Sequence, residues 1–127
     1  MSWVRTSLRA AMVAAALFVT PGAVGGAGAA GALAIGACAA YGYAYDYADV
    51  KAAQEAALEK CAGSCKQVVT TQKGCVAYAI DGRKPCGPHG FANAPKLGQA
   101  QNTALKHCYK HGGKDCVIRA WICDGRG

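Results

Sequence analysis

The sequence predicts an α+β fold, in which two tandem strand–strand–helix–strand units form antiparallel sheet with the helices packed on it. Three observations support this prediction. One pattern of residues occurs twice, each copy combines strand-like segments with one helical segment, and the chain of 127 residues contains eight cysteines. A chain of this length forms one core rather than two independent cores. We therefore expect a single domain over residues 30–127, with repeats at about 32–74 and 75–124.

The repeat is visible in two ungapped alignments. Cys38–Ala44 (CAAYGYA) matches Cys86–Ala92 (CGPHGFA) at an offset of 48 residues. Residues 50–61 (VKAAQEAALEKC) match residues 97–108 (LGQAQNTALKHC) at an offset of 47, with five of twelve positions identical. Because the shared cysteines recur in the same order, the pattern indicates an internal duplication.

Each copy contains one amphipathic helix. In the first, Val50, Ala53, Ala57 and Cys61 fall on one helical face, and Asp49 is placed to cap the first turn. The second helix begins at about Leu97 and ends at Gly112-Gly113, where glycine tolerates a left-handed backbone. Its predicted inward positions are Leu97, Ala100, Ala104 and Cys108.

Strands are predicted before and after each helix. Tyrosines at 41, 43, 45 and 47 alternate with small or polar residues, which places them on one face of a strand. Val76–Ile80 and Gly90–Asn93 form a hairpin around the turn Asp81–Lys84. A β-branched strand follows each helix, opening at Cys65 and at Cys116.

The N-terminal region has the order of a secretory signal peptide over residues 1–29. Arg5 and Arg9 precede the apolar run Ala10–Val19, and the small residues Ala27–Ala29 form an A-x-A cleavage site. The run of ten residues is shorter than the roughly 20 that span a bilayer, so no transmembrane span is expected in the mature protein. Cleavage after Ala29 predicts a secreted or periplasmic protein.

Two other ways of processing the N-terminal region are open from the residues. Cleavage after Ala32 is the second choice of site. Ile35–Cys38 resembles a lipobox, but it lies far beyond the apolar run, and lipidation of Cys38 would leave an odd number of cysteines.

In an oxidising compartment the eight cysteines are expected to form disulfides rather than a zinc site, although Cys61, Cys65 and Cys75 would suit zinc in the cytosol. Cysteines that end a helix are expected to pair with those that open the next strand. The first and last strands of the second unit carry a pair that meets if they are antiparallel neighbours, and two equivalent cysteines join the units. The predicted pairs are Cys61–Cys65, Cys108–Cys116, Cys75–Cys123 and Cys38–Cys86.

Five short motifs carry a family resemblance. They are Tyr41–Ala44, Ala57–Cys61, Ala104–Cys108, Gly112–Cys116 and Ala120–Cys123. In this order they resemble the bacterial domain-of-unknown-function family 4189, over about residues 33–124. The resemblance implies an exported bacterial protein, and it brings no catalytic residues and no activity.

The distribution of charge indicates a candidate binding surface. Without Arg5 and Arg9 the chain keeps 12 basic and 7 acidic residues, and the whole excess lies after Gly74. A basic surface suits an anionic envelope polymer or another exported protein, whereas nucleic acid is disfavoured by the compartment. The candidate binding residues are Lys106, Lys110, Lys114, His107 and His111, which we call the basic cluster, and the tyrosine ladder Tyr41, Tyr43 and Tyr45.

The sequence contains no recognisable catalytic motif, and no cofactor or metal is predicted. Ser64 lacks a G-x-S-x-G context, and the acids beside the first helix are explained by capping or solvation. His107 and His111 share a helix face, with Asp115 or His89 as further metal ligands, but a complete site is not evident. The leading hypothesis is a non-enzymatic exported module that binds an envelope component or acts as an inhibitor or protective partner of another protein. The alternative is a small secreted hydrolase with unrecognised catalytic residues.

Overall fold

The computed structural model describes residues 30–62 and 64–124, so the predicted signal peptide lies outside the described residues. The elements are β1 (Ala30–Gly36), β2 (Tyr41–Tyr47), α1 (Val50–Lys60), β3 (Cys65–Gln72), β4 (Cys75–Asp81), β5 (His89–Ala94), α2 (Leu97–Lys110) and β6 (Cys116–Cys123). This order confirms the predicted α+β class and its two strand–strand–helix–strand units. We call β1 to β3 unit one and β4 to β6 unit two.

Each unit forms its own three-stranded antiparallel sheet. The strand orders are β2-β1-β3 and β5-β4-β6, so the first strand of each unit is central. A central strand is covered on both faces, and every residue of β4 is accordingly buried. The sequence predicted antiparallel pairing, but it did not determine that the strands divide into two sheets.

Large apolar side chains lie between the two sheets. Leu33 and Ile35 of β1 share one buried cluster with Val76, Tyr78 and Ile80 of β4. Successive side chains of a strand point to opposite faces, so these alternate positions form one face of each central strand. The sheets therefore pack against each other through their large residues.

The opposite faces of the central strands carry alanine and contact the helices. Ala32 and Ala34 of β1 cluster with Ala53 and Ala57 of α1. In unit two the matching cluster contains Ala77, Ala79, Ala100, Ala104 and Cys108. The layers thus run helix, sheet, sheet, helix, and the small side chains let each helix lie close to its sheet.

One glycine in each unit marks this close approach. A Cβ at Gly42 would collide with the Ala57 carbonyl oxygen and lie 2.5 Å from the amide nitrogen of Cys61. Gly90 has the same relation to Ala104 and Cys108. The matching contacts support the predicted duplication, which itself stays a prediction.

The helix ends follow local signals in the sequence. The Asp49 side chain accepts a hydrogen bond of 2.8 Å from the amide of Ala52, which confirms it as the N-cap of α1. After α2 the chain turns through Gly112 at φ +99°, a conformation that glycine adopts without a steric penalty.

All eight cysteines are paired. The disulfides are Cys38–Cys86, Cys61–Cys65, Cys75–Cys123 and Cys108–Cys116, the four pairs expected from the sequence. The lipobox alternative is incompatible with this arrangement, because the Cys38 sulfur is bonded to Cys86. Processing at Cys38 would also remove β1, the central strand of the first sheet.

The prediction that Tyr47 shares a face with the other three tyrosines is wrong. The register between β1 and β2 shifts between Ala30 and Ala32, and Asp46 adopts a φ of +65° at this irregularity. An extra residue in a strand reverses the side to which the following side chain points. Tyr47 consequently packs against the alanine cluster beneath α1.

Candidate functional site

The tyrosine ladder lies on the edge strand β2. Gly42 and Ala44, the alternate residues of the strand, are buried on the helix side, so the tyrosines project from the other face. The ring centroids of Tyr41 and Tyr43 are 6.4 Å apart, and those of Tyr43 and Tyr45 are 6.2 Å apart, with the planes nearly parallel. Tyr43 is 44% exposed and Tyr45 is 58% exposed, so two stacked rings face solvent.

Two cations contact the ladder. The Lys60 ammonium, at the end of α1, lies 5.8 Å from the Tyr43 ring centroid. The Arg119 guanidinium lies 5.0 Å from the centroid of Tyr41, within the range of a cation–π interaction. Arg119 also donates from Nε to the carbonyl oxygen of Ala39 at 3.2 Å, which fixes its side chain.

A register irregularity in β6 positions Arg119. Tyr78 pairs with Ala120 and Ala79 pairs with Ile118, so Arg119 is the extra residue between them. Bulges re-aim side chains in this way. The sequence identified Arg119 only as a basic residue of a strand, because a bulge in β6 depends on its pairing with β4.

The ladder and β6 enclose an open groove. A cavity of about 500 Å³ is lined by Tyr41, Tyr43, Lys60 and Arg119 among others. It adjoins a cavity of about 460 Å³ that reaches Trp121, and Tyr43 and Trp121 also line a third cavity of about 370 Å³ beside Tyr45. We call this surface, formed by the tyrosine ladder, Lys60, Arg119 and Trp121, the aromatic groove.

Sequence reasoning found the ladder but missed Lys60, Arg119 and Trp121. Trp121 is 51% exposed, although it lies in a strand of largely apolar residues. The sequence showed a tryptophan within a strand of largely apolar residues, but its exposure is known only from the structure. The partnership of β6 with β2 was not readable, since it depends on how the two sheets pack.

The basic cluster lies in the last turns of α2 and in the loop after it, and its five residues are all exposed. Lys106, His107 and Lys110 are in the last turns of α2, where cations interact favourably with the helix terminus. The rings of His107 and His111 are 6.4 Å apart. Lys114, after the helix, lines a cavity of about 300 Å³ together with Arg83 and Lys84.

A metal site at these histidines does not form within the described residues. His111 directs Nδ1 to the backbone carbonyl oxygen of His89 at 2.9 Å, so the His89 contact is made by its main chain. Residues 30–62 and 64–124 contain no group of three or more metal-ligating side chains.

Lys114 is positioned through its backbone by a buried carboxylate. Asp81, 4% exposed, accepts hydrogen bonds from the amides of Arg83 at 2.9 Å and Lys114 at 3.1 Å. These amides, with that of Arg83 the larger influence, hold the pKa of the Asp81 carboxyl below its ordinary value. Asp81 therefore joins the β4–β5 turn to the loop after α2.

A second buried carboxylate has the opposite environment. Asp124 is 3% exposed, and its Oδ2 has no hydrogen-bond partner in the described part of the chain. Burial raises the pKa of Asp124, and the charge of Asp46 adds to the effect, while the Asp46 backbone opposes it. Asp49, another acid weighed for catalysis, is occupied as the helix cap.

The hydrolase alternative has one structural counterpart. Ser64, Lys66 and His89 line a cavity of about 440 Å³ together with the buried Tyr78. Yet the Tyr78 hydroxyl is directed to the Gly36 carbonyl oxygen at 3.4 Å, and Ser64 makes no hydrogen bond to a base within the described residues. The aromatic groove is therefore the stronger candidate site.

These features define a small α+β domain that is stapled by four disulfides and carries an open groove of aromatic and cationic side chains. The chain belongs to the family described as Domain of unknown function (DUF4189), whose model matches residues 30–123. This match confirms the resemblance seen in the sequence motifs. Neither the curated proteins nor the solved structures contain a match. None of the helices in the described ranges is long and apolar enough to cross a membrane.

Proposed function

We propose that this protein is an exported, non-enzymatic binding module that attaches to an anionic envelope polysaccharide through the aromatic groove. The observation that carries the proposal is the meeting of exposed aromatic faces and cations on one surface. Tyr43 and Tyr45 supply open rings, and Lys60 and Arg119 lie within 5.8 Å and 5.0 Å of ladder rings.

The chemistry of the groove suits an acidic sugar chain. A sugar ring has an apolar C–H face, and covering it with an aromatic ring removes apolar surface from water. Carboxylate or phosphate substituents pair with Lys60 and with the donors of Arg119 that Ala39 does not occupy. The groove also extends along a strand, which suits an extended polymer.

Export is supported by the cysteines and by the start of β1. Four disulfides that use all eight cysteines are typical of an oxidising compartment. Ala30 is 1% exposed and pairs with both Tyr47 and Gln72. Cleavage after Ala29 would leave this strand whole, whereas cleavage after Ala32 would remove its first three residues.

The basic cluster is the competing surface for the same ligand class. It carries more cations than the groove, and Lys114 lines a cavity of about 300 Å³, but the rings of His107 and His111 meet edge to face rather than stacked. Exposed charges by themselves are screened over about 8 Å at physiological ionic strength. Binding through the basic cluster alone would therefore weaken more steeply with salt than binding through the groove.

Retention on immobilised polygalacturonate, with a neutral polysaccharide as reference, tests the proposal. We expect Tyr43→Ala/Tyr45→Ala to weaken binding about tenfold or more, because covering the two rings removes apolar surface from water at about 25 cal/mol per Å² and a tenfold change needs about 1.4 kcal/mol. The matched control is Lys106→Glu/Lys110→Glu, which changes exposed residues of α2 and leaves the groove intact. It should retain binding within about twofold by the same conversion.

Two results would contradict the proposal. Loss of retention only in the lysine variant would move the ligand to the basic cluster. Unchanged retention in a folded tyrosine variant would remove the groove as the binding surface. Circular dichroism of both variants establishes that each is folded before retention is compared.

A further inference from the structure

The four disulfides differ in their accessibility. Cys75 and Cys108 are 0% exposed and Cys116 is 8% exposed, so two of the bridges are anchored in the core. Cys38 and Cys86 are both in the exposed class, and theirs is the one disulfide of which this is true. A thiolate must reach a sulfur to exchange with it, so this bridge is the accessible one.

Cys38 lies in the tight turn between β1 and β2. Cys38 has a φ of +55° and Ala39 a φ of +66°, consecutive left-handed conformations that residues other than glycine rarely adopt. The bridge holds this turn against β5, since Cys86 lies just before that strand. The turn itself is closed by a hydrogen bond of 3.1 Å from the Ala40 amide to the Ala37 carbonyl oxygen, so the bridge joins a preformed hairpin turn to the segment before β5.

Open space and positive charge surround the same bridge. Cys38 and Cys86 line the cavity of about 440 Å³ together with Lys66. Cys38 also borders the cavity that contains Lys60 and Arg119. Cations favour a thiolate over a thiol, which makes Cys38 the better leaving group.

From these observations we infer that Cys38–Cys86 is a thiol-exchange site whose partner is an exported dithiol oxidoreductase with a Cys-x-x-Cys pair. The inference does not rest on the proposed polysaccharide binding. The partner thiolate attacks the Cys86 sulfur, a mixed disulfide forms, and the Cys38 thiolate leaves. The second thiolate of the partner then attacks the partner's own sulfur in the mixed disulfide, and the Cys86 thiolate leaves. Two electrons pass to this protein, which takes up two protons from water, and the partner ends as a disulfide.

Reduction at this site would remove the disulfide that links the two units. The other three bridges each lie within one unit or its adjoining loop, as Cys61–Cys65, Cys75–Cys123 and Cys108–Cys116. After exchange the units would still be joined by the chain between β3 and β4, by the packing between the sheets and by hydrogen bonds such as that from Arg119 to Ala39. The bridge also lies next to the aromatic groove, because Ala39, the residue after Cys38, accepts the hydrogen bond from Arg119 through its carbonyl oxygen.

Graded reduction of the oxidised mature protein tests the inference. The protein is exposed to increasing dithiothreitol under native conditions, free thiols are alkylated, and the labelled cysteines are mapped by mass spectrometry. We expect Cys38 and Cys86 to be labelled about tenfold sooner than any other cysteine, because exchange rates depend on access and on the leaving thiol. Labelling of Cys61 and Cys65 first, or of all eight together, would overturn the inference.

Two variants make the result specific. Cys38→Ser/Cys86→Ser should abolish the fast phase of labelling, and a fast phase that persists would assign it to another bridge. Lys60→Gln/Arg119→Gln should slow labelling of Cys38 and Cys86 without changing the other pairs. An unchanged rate in this variant would overturn the assignment of Cys38 as the leaving thiolate.

A reduced thioredoxin-type dithiol protein, used in place of dithiothreitol, should give the same order of labelling. A different order would contradict a protein partner.

Discussion

Units one and two have the same order of strands and helix but differ in how deeply their helix-to-strand disulfides are buried. In unit two, Cys108 and Cys116 are 0% and 8% exposed, so their disulfide is part of the core beneath α2. In unit one the corresponding bridge, Cys61–Cys65, is partly exposed at the end of α1. The same order of elements is therefore compatible with a helix-to-strand disulfide that is buried in the core or only partly buried at its edge.

The two units also differ in what covers the face of their second strand. In β2 this face carries Tyr41, Tyr43 and Tyr45, and two of these rings are exposed. In β5 the equivalent register positions are His89, Phe91 and Asn93. Phe91 packs against the cluster between the sheets, and the Asn93 side chain donates to the Thr70 carbonyl oxygen of β3. An open groove therefore forms beside β2 and is closed beside β5.

The largest expected effect is the difference in stabilisation between the long-range disulfide Cys75–Cys123 and the short-range disulfide Cys61–Cys65. Cys75→Ala/Cys123→Ala should lower the free energy of unfolding by about 4 kcal/mol, because the bridge closes a long loop. Its sequence separation is 48, against 4 for Cys61–Cys65. Cys61→Ala/Cys65→Ala should cost about 2 kcal/mol on the same entropy model. Denaturant unfolding of both variants measures the difference, and equal losses would contradict it.

The next effect tests whether the helix–sheet approach is equivalent in the two units. Gly42→Ala and Gly90→Ala should each destabilise by about 2–3 kcal/mol, since the added methyl meets helix backbone that must shift. Gly98→Ala is the matched control, because nothing lies within 4 Å of a Cβ at this position of α2. It should stabilise by about 0.5 kcal/mol through helix propensity. A large loss of stability in only one of the two variants, Gly42→Ala or Gly90→Ala, would show that the helix–sheet approach differs between the units.

Smaller effects on stability, which depend on pH, are expected from the two buried carboxylates Asp81 and Asp124. The pKa of Asp81 is lowered in the folded state by backbone amides. Its contribution to stability is therefore present above its ordinary value of 3.8 and is lost as the pH falls through the folded pKa. Asp81→Asn should reduce stability at pH 7 and flatten the loss of stability in acid. Thermal unfolding measured from pH 2 to pH 7, on both sides of the ordinary aspartate pKa of about 3.9, tests both expectations.

Asp124 should behave with the opposite sign. Burial raises the pKa of its carboxyl, so its favourable contribution is complete below 3.8 and is lost as the pH rises through the folded pKa. Asp124→Asn should leave stability in acid nearly unchanged and raise it at pH 7. If this variant is instead destabilised at pH 7, the Asp124 carboxylate is paired in the folded protein, contrary to the environment of its Oδ2.

What the sequence by itself determined about this protein is local. Periodicity located both helices, Asp49 marked the start of the first helix and Gly112 the end of the second, and two of the predicted disulfides join cysteines only 4 and 8 residues apart. These signals act within a few residues, so they are readable without the rest of the fold. Alternation likewise placed Tyr41, Tyr43 and Tyr45 on one strand face.

Only the tertiary structure decided the division into two sheets, the reversal of Tyr47 and the assembly of the aromatic groove. Each depends on pairing between distant segments: the shift at Asp46 needs β1 as its partner, and the bulge at Arg119 needs β4. The ladder becomes a groove only because β6 packs beside β2, bringing Trp121 into the same cavities. Packing between sheets is set by the shapes of both faces together, and that information is not carried by either segment alone.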